Sequence, residues 1–375
     1  MRVLMLSKAC LVGAYQTKLE AIARMPDVEL TALVPPSWDD PDGRVALERC
    51  YTDGYELLVD PIRFNGHYHT YYYPTLPRRL RQFRPDVVHI DEEPYNLATW
   101  LAMRQARAVG AKTLFFTWQN LARRYPPPFS LMERQVLAAS DYAIMGNREA
   151  ADIWRAKGYA GPYRVIPQFG VDPVLFSPPA ARDAGRAFII GSANRRLVPE
   201  KGVDLLLRAA AGLPGVWRLH IAGDGPALPG LRRLAEELGI AGRVDFDGPI
   251  PSDQVPAYLR DLDVLALTSR TLPNWKEQFG RVLIEAMACG VPVIGSRCGE
   301  IPHVIGDAGL IIPEEDIDAL RAGLLQFMQN DELRREFNRR GRQRVLEHFT
   351  QASIAAETVA IYRSLSAPGA AVPLD

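Results

Sequence analysis

The sequence predicts an α/β fold built from two doubly wound, Rossmann-like domains. Short apolar runs alternate with longer helical patterns along the chain, which is typical of parallel sheets covered by helices on both faces. The chain has 375 residues, which is too long for one typical core. A segment rich in Pro, Asp and Ala at residues 169–183 lies between two similar halves and is typical of a linker.

The first half shows the alternating pattern from its first residues onward. Apolar runs predict strands at residues 3–6, 30–34, 87–90, 113–116, 142–145 and 163–166. Helical patterns lie between some of them, at residues 16–23, 96–108 and 130–139. We therefore expect an N-terminal Rossmann-like domain at residues 1–172.

The second half repeats this order. Its apolar runs predict strands at residues 187–190, 218–222, 244–246, 264–267, 291–294 and 310–312. Its helical patterns lie at residues 202–211, 228–238, 255–259, 281–289, 317–329, 331–348 and 352–365. We expect a C-terminal Rossmann-like domain at residues 173–350, and then a last helix and a poorly ordered Ala- and Pro-rich tail within residues 351–375.

The composition argues against several classes of protein. Lys plus Arg (44) equals Asp plus Glu (44), so we expect no nucleic-acid partner. The N-terminus reads as a strand and not as a signal peptide, and no apolar run is long enough for a membrane span, which predicts a cytoplasmic protein. Peripheral contact with the inner membrane face stays open. His67 and His69 have the spacing of a weak metal pair without a third ligand nearby, so no metal site is predicted.

The most informative stretch is residues 271–292. Glu277 precedes a helical pattern that Gly280 opens, and the exposed amides of a first helical turn suit an anion. Because Gly280 has no Cβ, a ligand can approach the backbone closely there. Glu285 lies inside an apolar stretch and needs a partner. Sugar or ribose hydroxyls are natural partners, and a structural salt bridge that pins the helix is the alternative.

Two other loops of the second half carry candidate ligand-binding residues. Arg196 and Lys201 follow a strand and can converge on one anion, since a guanidinium fork and a mobile ammonium suit a diphosphate. The alternative is two solvated surface charges. Gly223 lies in a turn that resembles half of a dinucleotide fingerprint, but Leu228 stands where the third glycine belongs. A plain strand-to-helix turn explains Gly223 equally well.

In the first half, polar residues follow predicted strands, at the sheet edge where open α/β sheets bind ligands. Gly13 links the first strand to its helix and would let a phosphate or a sugar approach, or it is a simple turn glycine. Among the acids at residues 91–93, Glu93 is the better candidate for an acceptor hydroxyl, and the pattern favours a solvated Asp91. Trp118 can stack on a sugar or belong to the core.

Taken together, these motifs resemble the large retaining glycosyltransferase family 4, which has the two-domain GT-B architecture. RLVPEKG (196–202), AGDGP (222–226), VDFDG (244–248), Glu-x7-Glu (277–285) and GVPVIGS (290–296) follow in the family's order and spacing. VIPQFGVD (165–172) resembles the family's linker motif. The first half matches only in its strand pattern and in the loop at Gly13.

The resemblance implies a GT-B fold in which two Rossmann-like doubly wound domains face each other across a cleft, with the last helix crossing back to the N-terminal domain. Glu277 would hold donor sugar hydroxyls together with the backbone at Phe279 and Gly280. Arg196 and Lys201 would bind the diphosphate and stabilise the leaving nucleotide. With Glu277 these two cations form the implied catalytic set.

The remaining donor contacts are implied in the same way. Glu285 would bind ribose hydroxyls, and the amides near Val282 and Leu283 would face phosphate. Gly13 and Gly223 would line the donor site. The donor would be a UDP- or GDP-sugar, and neither a cofactor nor a divalent metal is expected, since cationic side chains and helix dipoles neutralise the phosphates.

The resemblance implies that the N-terminal domain binds the acceptor and the C-terminal domain the nucleotide sugar. The motifs that would mark the acceptor site are weaker than those of the donor site. Glu93, Trp118, Asn120 and Arg124 are its candidates, because they follow two strands at the ligand-binding edge or lie in the basic, Pro-rich loop beyond. The acceptor would be a hydroxyl of a cell-surface glycan, a glycolipid or a small metabolite. The implied outcome is retention of anomeric configuration by front-face attack.

The chain departs from the family pattern at three places, one of which is the loop after the first strand, where Val12-Gly13-Ala14 stands in place of the family's double glycine. Arg195 stands where a glycine usually precedes the phosphate-binding arginine, and Gln119 and Asn120 stand where many members place a histidine. No general base is therefore carried over. Two alternative functions stay open, a GT-B-like nucleotide-sugar epimerase and an NAD-dependent Rossmann enzyme, although neither half contains the full Gly-x-Gly-x-x-Gly that the latter needs.

Overall fold

A computed structural model of the chain describes residues 1–41, 43–179 and 185–366. It divides into two compact units, one formed by Met1–Gly170 together with the C-terminal helix and the other by Val171–Thr350. The predicted tail at residues 367–375 and the part of the predicted linker at residues 180–183 lie outside the described residues.

Within its described residues, the first unit contains a seven-stranded sheet in the order β5-β2-β1-β6-β7-β8-β9, and every pairing is parallel. A two-stranded antiparallel hairpin, β3-β4, stands apart from it. The strands are β1 Arg2–Leu6, β2 Glu29–Val34, β3 Ser37–Asp40, β4 Gly43–Ala46, β5 Glu56–Val59, β6 Val87–Ile90, β7 Lys112–Thr117, β8 Tyr142–Met145 and β9 Tyr163–Val165. The helices are α1 Gly13–Ala23, α2 Leu76–Phe83, α3 Leu97–Ala108, α4 Phe129–Ala139 and α5 Arg148–Ala156.

The second unit has a six-stranded parallel sheet in the order β12-β11-β10-β13-β14-β15 within its described residues. Its strands are β10 Phe188–Arg196, β11 Trp217–Asp224, β12 Val244–Gly248, β13 Val264–Leu267, β14 Val293–Ser296 and β15 Leu310–Ile312. Its helices are α6 Val203–Ala211, α7 Leu228–Glu237, α8 Val255–Arg260, α9 Arg281–Ala288, α10 Ile301–Ile305, α11 Ile317–Gln329 and α12 Asp331–His348. The predicted pair of doubly wound, Rossmann-like domains is confirmed.

The central strand of the first unit shows why the sequence folds this way. Successive side chains of a strand point to opposite faces, so Leu4 and Leu6 enter one core while Val3 and Met5 enter the other. Both cores need a helical cover. The last helix of the chain, α13 Gln351–Ser366, packs on α1 and contributes Ile354, Val359 and Tyr362 to the second of these cores.

Several helices and strands were not predicted from the sequence, and one predicted strand begins later than expected. The hairpin β3-β4 is short and partly acidic, so it has no clear apolar period. The helix α2 has apolar residues at helical spacing, Leu76, Leu80 and Phe83, and was missed all the same, as were β5, α5 and α10. The strand predicted at residues 291–294 begins only at Val293, because Pro292 cannot donate to the ladder and the Val291 amide caps α9 by donating to Ala286 O.

Both sheets have a point where the chain changes direction across the sheet. In the first unit β1 lies between β2 and β6, and in the second β10 lies between β11 and β13. The carboxyl ends of β1 and β6, and of β10 and β13, therefore bound the crevices in which open α/β sheets bind ligands. We call these two places the first and the second switch point.

Candidate functional site

The second switch point holds a buried ion pair. Lys201 ends the short 3-10 turn that follows β10, and Glu277 lies in the loop that follows β13. Lys201 Nζ lies 2.6 Å from Glu277 Oε2, with the two side chains 20% and 11% exposed. The structure thus brings together two residues that lie 76 positions apart in the chain and that the sequence singled out separately.

Backbone contacts hold the two loops against each other. Thr268 Oγ1 donates to Gly202 O at 2.9 Å, and Arg270 N donates to Glu200 O at 2.8 Å. Gly202 adopts a φ of 64°, and a Cβ at that position would collide with Thr268 O. The glycine of the RLVPEKG motif is therefore required to seat Lys201 beside the end of β13.

Two residues that the sequence analysis missed complete the pair. Ser269 Oγ donates to Glu277 Oε2 at 3.0 Å, so this carboxylate oxygen accepts from a hydroxyl as well as from an ammonium group. The ring of Trp275 lies with its centroid 4.9 Å from Lys201 Nζ, within the range of a cation–π contact. The available signal for Ser269 was its place directly after the apolar strand β13, where ligand-binding residues collect.

The helix α9 begins directly behind Glu277. Gly280 has a φ of 78°, and a Cβ there would lie 2.9 Å from Leu267 Cδ2, so the glycine permits both the turn and the close packing. Phe279 is buried. The Leu283 amide donates to Gly280 O at 2.9 Å, so this amide is used within the turn, whereas Val282 lies beside it in the same first turn.

Glu285 has a partner on its own helix. Arg281 Nε lies 2.8 Å from Glu285 Oε1, in an i,i+4 pair on α9. Burial raises the pKa of the Glu285 carboxyl, and the neighbouring guanidinium partly offsets this. The structural salt bridge that the sequence analysis held as an alternative is therefore present.

Arg196 and Gly223 lie on neighbouring strands. Arg196 is the exposed last residue of β10, and the register between β10 and β11 shifts between Ala193 and Arg196. This irregularity accommodates Arg195, the residue that departs from the family pattern. Gly223 lies in β11 with a φ of 123°, where a Cβ would collide with Asn194 O, so strand packing by itself explains this glycine.

At the first switch point, the buried carboxylate of Asp91 accepts hydrogen bonds from two side chains. Ser7 Oγ and Gln168 Nε2 both donate to Asp91 Oδ2, at 2.5 and 2.9 Å. Gln168 Oε1 in turn accepts from Trp118 Nε1 at 2.9 Å. Asp91 is buried, so the prediction of a solvated Asp91 was wrong. The carboxylate has donors from the residue directly after β1 and from the segment after β9, which the sequence order does not reveal.

Glu93 and Trp118 do meet, but they bind each other. Glu93 accepts from Thr117 Oγ1 at 2.6 Å and from the Trp118 amide at 2.8 Å. Burial raises the pKa of the Glu93 carboxyl to about 7. In this structure Glu93 ties the end of β6 to the end of β7, and the Trp118 indole is held by Gln168.

The other first-unit candidates are placed differently. The Gly13 amide donates to Glu48 Oε2 at 2.6 Å, so a carboxylate of this chain occupies the helix start that was assigned to the donor. Asn120 is buried and Arg124 is exposed in the loop after β7. His89 is also buried, with Nδ1 2.6 Å from Tyr362 OH, and desolvation lowers its pKa well below the usual value.

In residues 1–41, 43–179 and 185–366, no group of three or more His, Cys, Asp and Glu side chains is placed to hold a metal ion. His69 lies among the rings of Tyr95, Tyr125 and Phe129, with centroid distances of 5.3 to 5.5 Å. Over the same ranges, none of the helices has both the length and the apolar content to cross a bilayer.

Two protein-family models match this chain in succession. The model described as Glycosyltransferase Family 4 matches residues 27–175, and the model described as Glycosyl transferases group 1 matches residues 184–344. Together they cover most of both units.

Curated relatives share part of the sequence. A D-inositol 3-phosphate glycosyltransferase of Mycolicibacterium smegmatis is 36% identical over 208 residues, which is 51% of this chain and 46% of the relative. An MMP α-(1→4)-mannosyltransferase of Mycolicibacterium hassiacum is 29% identical over 270 residues, 68% of this chain and 61% of the relative. The chain thus spans about half of the length of the curated relatives it matches.

Solved structures share the fold over almost the whole chain. A sucrose-phosphate synthase of Thermosynechococcus elongatus superposes with a TM-score of 0.72 at 21% identity, covering 97% of this chain and 99% of that one. The Anabaena protein HepE, in complex with UDP, superposes with a TM-score of 0.74 at 16% identity, covering 97% and 100%. At this identity the likeness concerns the fold, which is GT-B.

Proposed function

Because this chain belongs to the group 1, family 4 glycosyltransferases, we propose that it transfers a sugar from a nucleotide-diphosphate sugar to a hydroxyl group of an acceptor. The observation that carries the proposal is the Lys201–Glu277 pair at the second switch point. It combines a hydroxyl-accepting carboxylate with a phosphate-binding ammonium group at the place where such sheets bind ligands.

Each member of the pair has its own task in this proposal. Glu277 Oε2 already accepts from the Ser269 hydroxyl, which is the kind of donor that a sugar presents. Lys201 faces the oxygen on which negative charge develops as the diphosphate leaves, and Arg196 adds a second cation from the end of β10. These fixed positive charges would neutralise the leaving group without a divalent metal.

The first turn of α9 would receive the nucleotide part of the donor. Its Val282 amide and the positive end of the helix suit a phosphate. Glu285 would accept ribose hydroxyls beside its partner Arg281. UDP is the first nucleotide to test, because the similar HepE structure is a complex with UDP, and GDP is the next.

The proposed transfer retains the anomeric configuration of the sugar, as the family resemblance implies. Glu93 is already bound by Thr117 and Trp118, and His89 is buried beneath α13. We therefore assign neither of them as a side-chain base. Front-face attack, in which a departing phosphate oxygen takes the acceptor proton, needs no such base.

The proposal is tested by following free nucleotide. UDP-glucose, UDP-N-acetylglucosamine, GDP-mannose and NAD are first screened by thermal shift, since a ligand that binds the folded state raises the melting temperature. Free nucleotide and any altered sugar nucleotide are then measured with and without a mixture of hydroxyl acceptors. Acceptor-dependent release of UDP or GDP is expected. A sugar nucleotide that changes its sugar with no acceptor present, or a shift with NAD alone, would refute the proposal.

A further inference from the structure

An aromatic loop of the first unit, residues 63–73, leaves two large rings exposed. Phe64 is 59% exposed and Tyr68 is 42% exposed, whereas Tyr71 and Tyr73 of the same loop are buried. The loop follows β5 and precedes α2, so it begins beyond the carboxyl end of a sheet strand, on the ligand-binding edge. Single exposed apolar residues are common, so the exposure of these rings needs further support.

The backbone at Phe64 supplies that support. Its φ is 57°, a left-handed conformation that is unfavourable for a bulky residue and that is retained where the surroundings impose it. Arg63 and Tyr72 impose it by exchanging backbone hydrogen bonds of 3.0 and 3.3 Å across the base of the loop. The chain thus keeps an unfavourable backbone conformation that turns an aromatic ring toward solvent, with Tyr72 as its aromatic neighbour at 6.2 Å.

The second exposed ring is held in one orientation. Lys8 Nζ lies 4.2 Å from the centroid of the Tyr68 ring, and the Trp38 ring packs 4.9 Å from it. Tyr68 OH donates to Asp40 Oδ2 at 2.9 Å. Lys8 follows β1 and therefore ties the loop to the first switch point. A ring with this many fixed contacts loses little freedom when a ligand stacks on it.

We infer that the aromatic loop is the acceptor-binding surface, and that the acceptor is a saccharide. The inference rests on the proposed function, and it narrows the acceptor from any hydroxyl compound to a sugar ring. Aromatic rings cover the apolar C–H face of a pyranose, and the Tyr68 hydroxyl and Asp40 carboxylate offer hydrogen bonds at the ring edge. A small anionic acceptor would find the Lys8 ammonium covered by Trp38 and Tyr68.

The test uses matched variants of the full chain. Phe64→Asn removes the ring but tolerates the left-handed backbone, and Phe64→Tyr keeps the ring. Tyr68→Leu removes the second ring, and Val109→Ala alters an exposed apolar residue between α3 and β7, at the amino-terminal edge of the sheet. Binding of maltotriose, cellotriose and mannotriose is measured by saturation-transfer NMR without donor, and glycerol serves as a hydroxyl compound without a sugar ring.

We expect at least one trisaccharide to bind, and Phe64→Asn and Tyr68→Leu each to weaken that binding about tenfold. Phe64→Tyr and Val109→Ala should stay within twofold of the unaltered protein. In transfer assays the acceptor KM should rise in the two ring-removal variants, while Val109→Ala should keep both the acceptor KM and the donor hydrolysis of the unaltered protein.

The inference is overturned if none of the trisaccharides binds, or if both ring-removal variants bind them as the unaltered protein does. Because the NMR measurement contains no nucleotide, its result is independent of the proposed transfer. Saccharide binding without any nucleotide release from sugar nucleotides would reject the proposed function and keep the loop as a saccharide-binding surface. Nucleotide release with glycerol as the acceptor, but with none of the trisaccharides, would keep the proposed function and reject the loop as a saccharide-binding surface.

Discussion

The two switch points are built from similar residue types but are closed to different degrees. At the second, Lys201 and Glu277 pair with each other and keep part of each side chain exposed. At the first, Asp91 accepts from Ser7 and Gln168 and is shut away from solvent. Both switch points lie at the ends of two parallel strands that are neighbours in the sheet. In both, a side chain that follows one strand binds a side chain that follows the neighbouring strand.

This difference in exposure separates a switch point that can bind a ligand from one that stabilises the fold. An ion pair that keeps part of each side chain exposed can exchange its partner for a ligand at lower cost than a fully buried one, since both groups remain within reach of water. A buried carboxylate with two donors stabilises the loops that it joins, and removing it leaves donors without partners. On the proposals made above, the first unit binds the acceptor with loops further out, above all the aromatic loop, and the second unit binds the donor at the switch point itself.

The largest effect is expected at the second switch point. Glu277→Gln and Lys201→Met should each lower the rate of transfer by about a thousandfold, because each removes charge that is positioned for the reacting donor. Circular dichroism and the melting temperature should stay close to those of the unaltered protein. Transfer at the original rate in both variants would show that this switch point does not bind the donor.

Asp91→Ala tests the first switch point as a structural element. It should lower the free energy of unfolding by about 3 kcal/mol, because it leaves Ser7 and Gln168 buried without their acceptor. Urea denaturation followed by tryptophan fluorescence measures this. A stable Asp91→Ala protein that has lost only activity would instead make Asp91 a ligand-binding residue, and the contrast between the switch points would disappear.

The raised pKa of the Glu93 carboxyl predicts how the free energy of unfolding depends on pH. Its pKa in the folded protein is raised to about 7, so between its ordinary value and pH 7 the folded state holds a proton that the unfolded chain has released. Stability should therefore fall as the pH rises through this window, by at most about 3 kcal/mol, and level off above it. Denaturation midpoints measured from pH 4 to 8 should show a smaller decline in Glu93→Gln. Equal slopes would place the Glu93 carboxylate in contact with water.

The smallest effect is expected from an ion pair away from both switch points. Arg218 binds Asp245 at 2.6 Å across β11 and β12, with the arginine side chain 46% exposed. Arg218→Met should change the free energy of unfolding by less than about 1 kcal/mol and leave transfer unchanged. This variant is the matched control for Lys201→Met. A large loss of transfer here would mean that removing any cation of this unit disturbs the site.

The sequence predicted most of the strands and the identity of the second site, because local patterns carry that information. Apolar runs determine which segments become buried strands, and Gly202 and Gly280 mark the two places where the backbone turns toward the ligand-binding edge. Glu277 and Lys201 were predicted because each lies in a short motif that one of these glycines marks. Ser269 and Trp275 lie in the same loops without such a mark, and they were missed.

The sequence alone therefore determined the fold class, pointed to the family and singled out Lys201 and Glu277 as candidates, since these follow from periodicity and from short motifs. Only the tertiary structure decided that Glu48 fills the start of α1 and that Glu93 is bound to Thr117 and Trp118. The physical reason is that a carboxylate's role depends on which donors surround it and on how much water reaches it. Both are set by which strand ends and loops fold against one another, and neighbours in sequence do not reveal that.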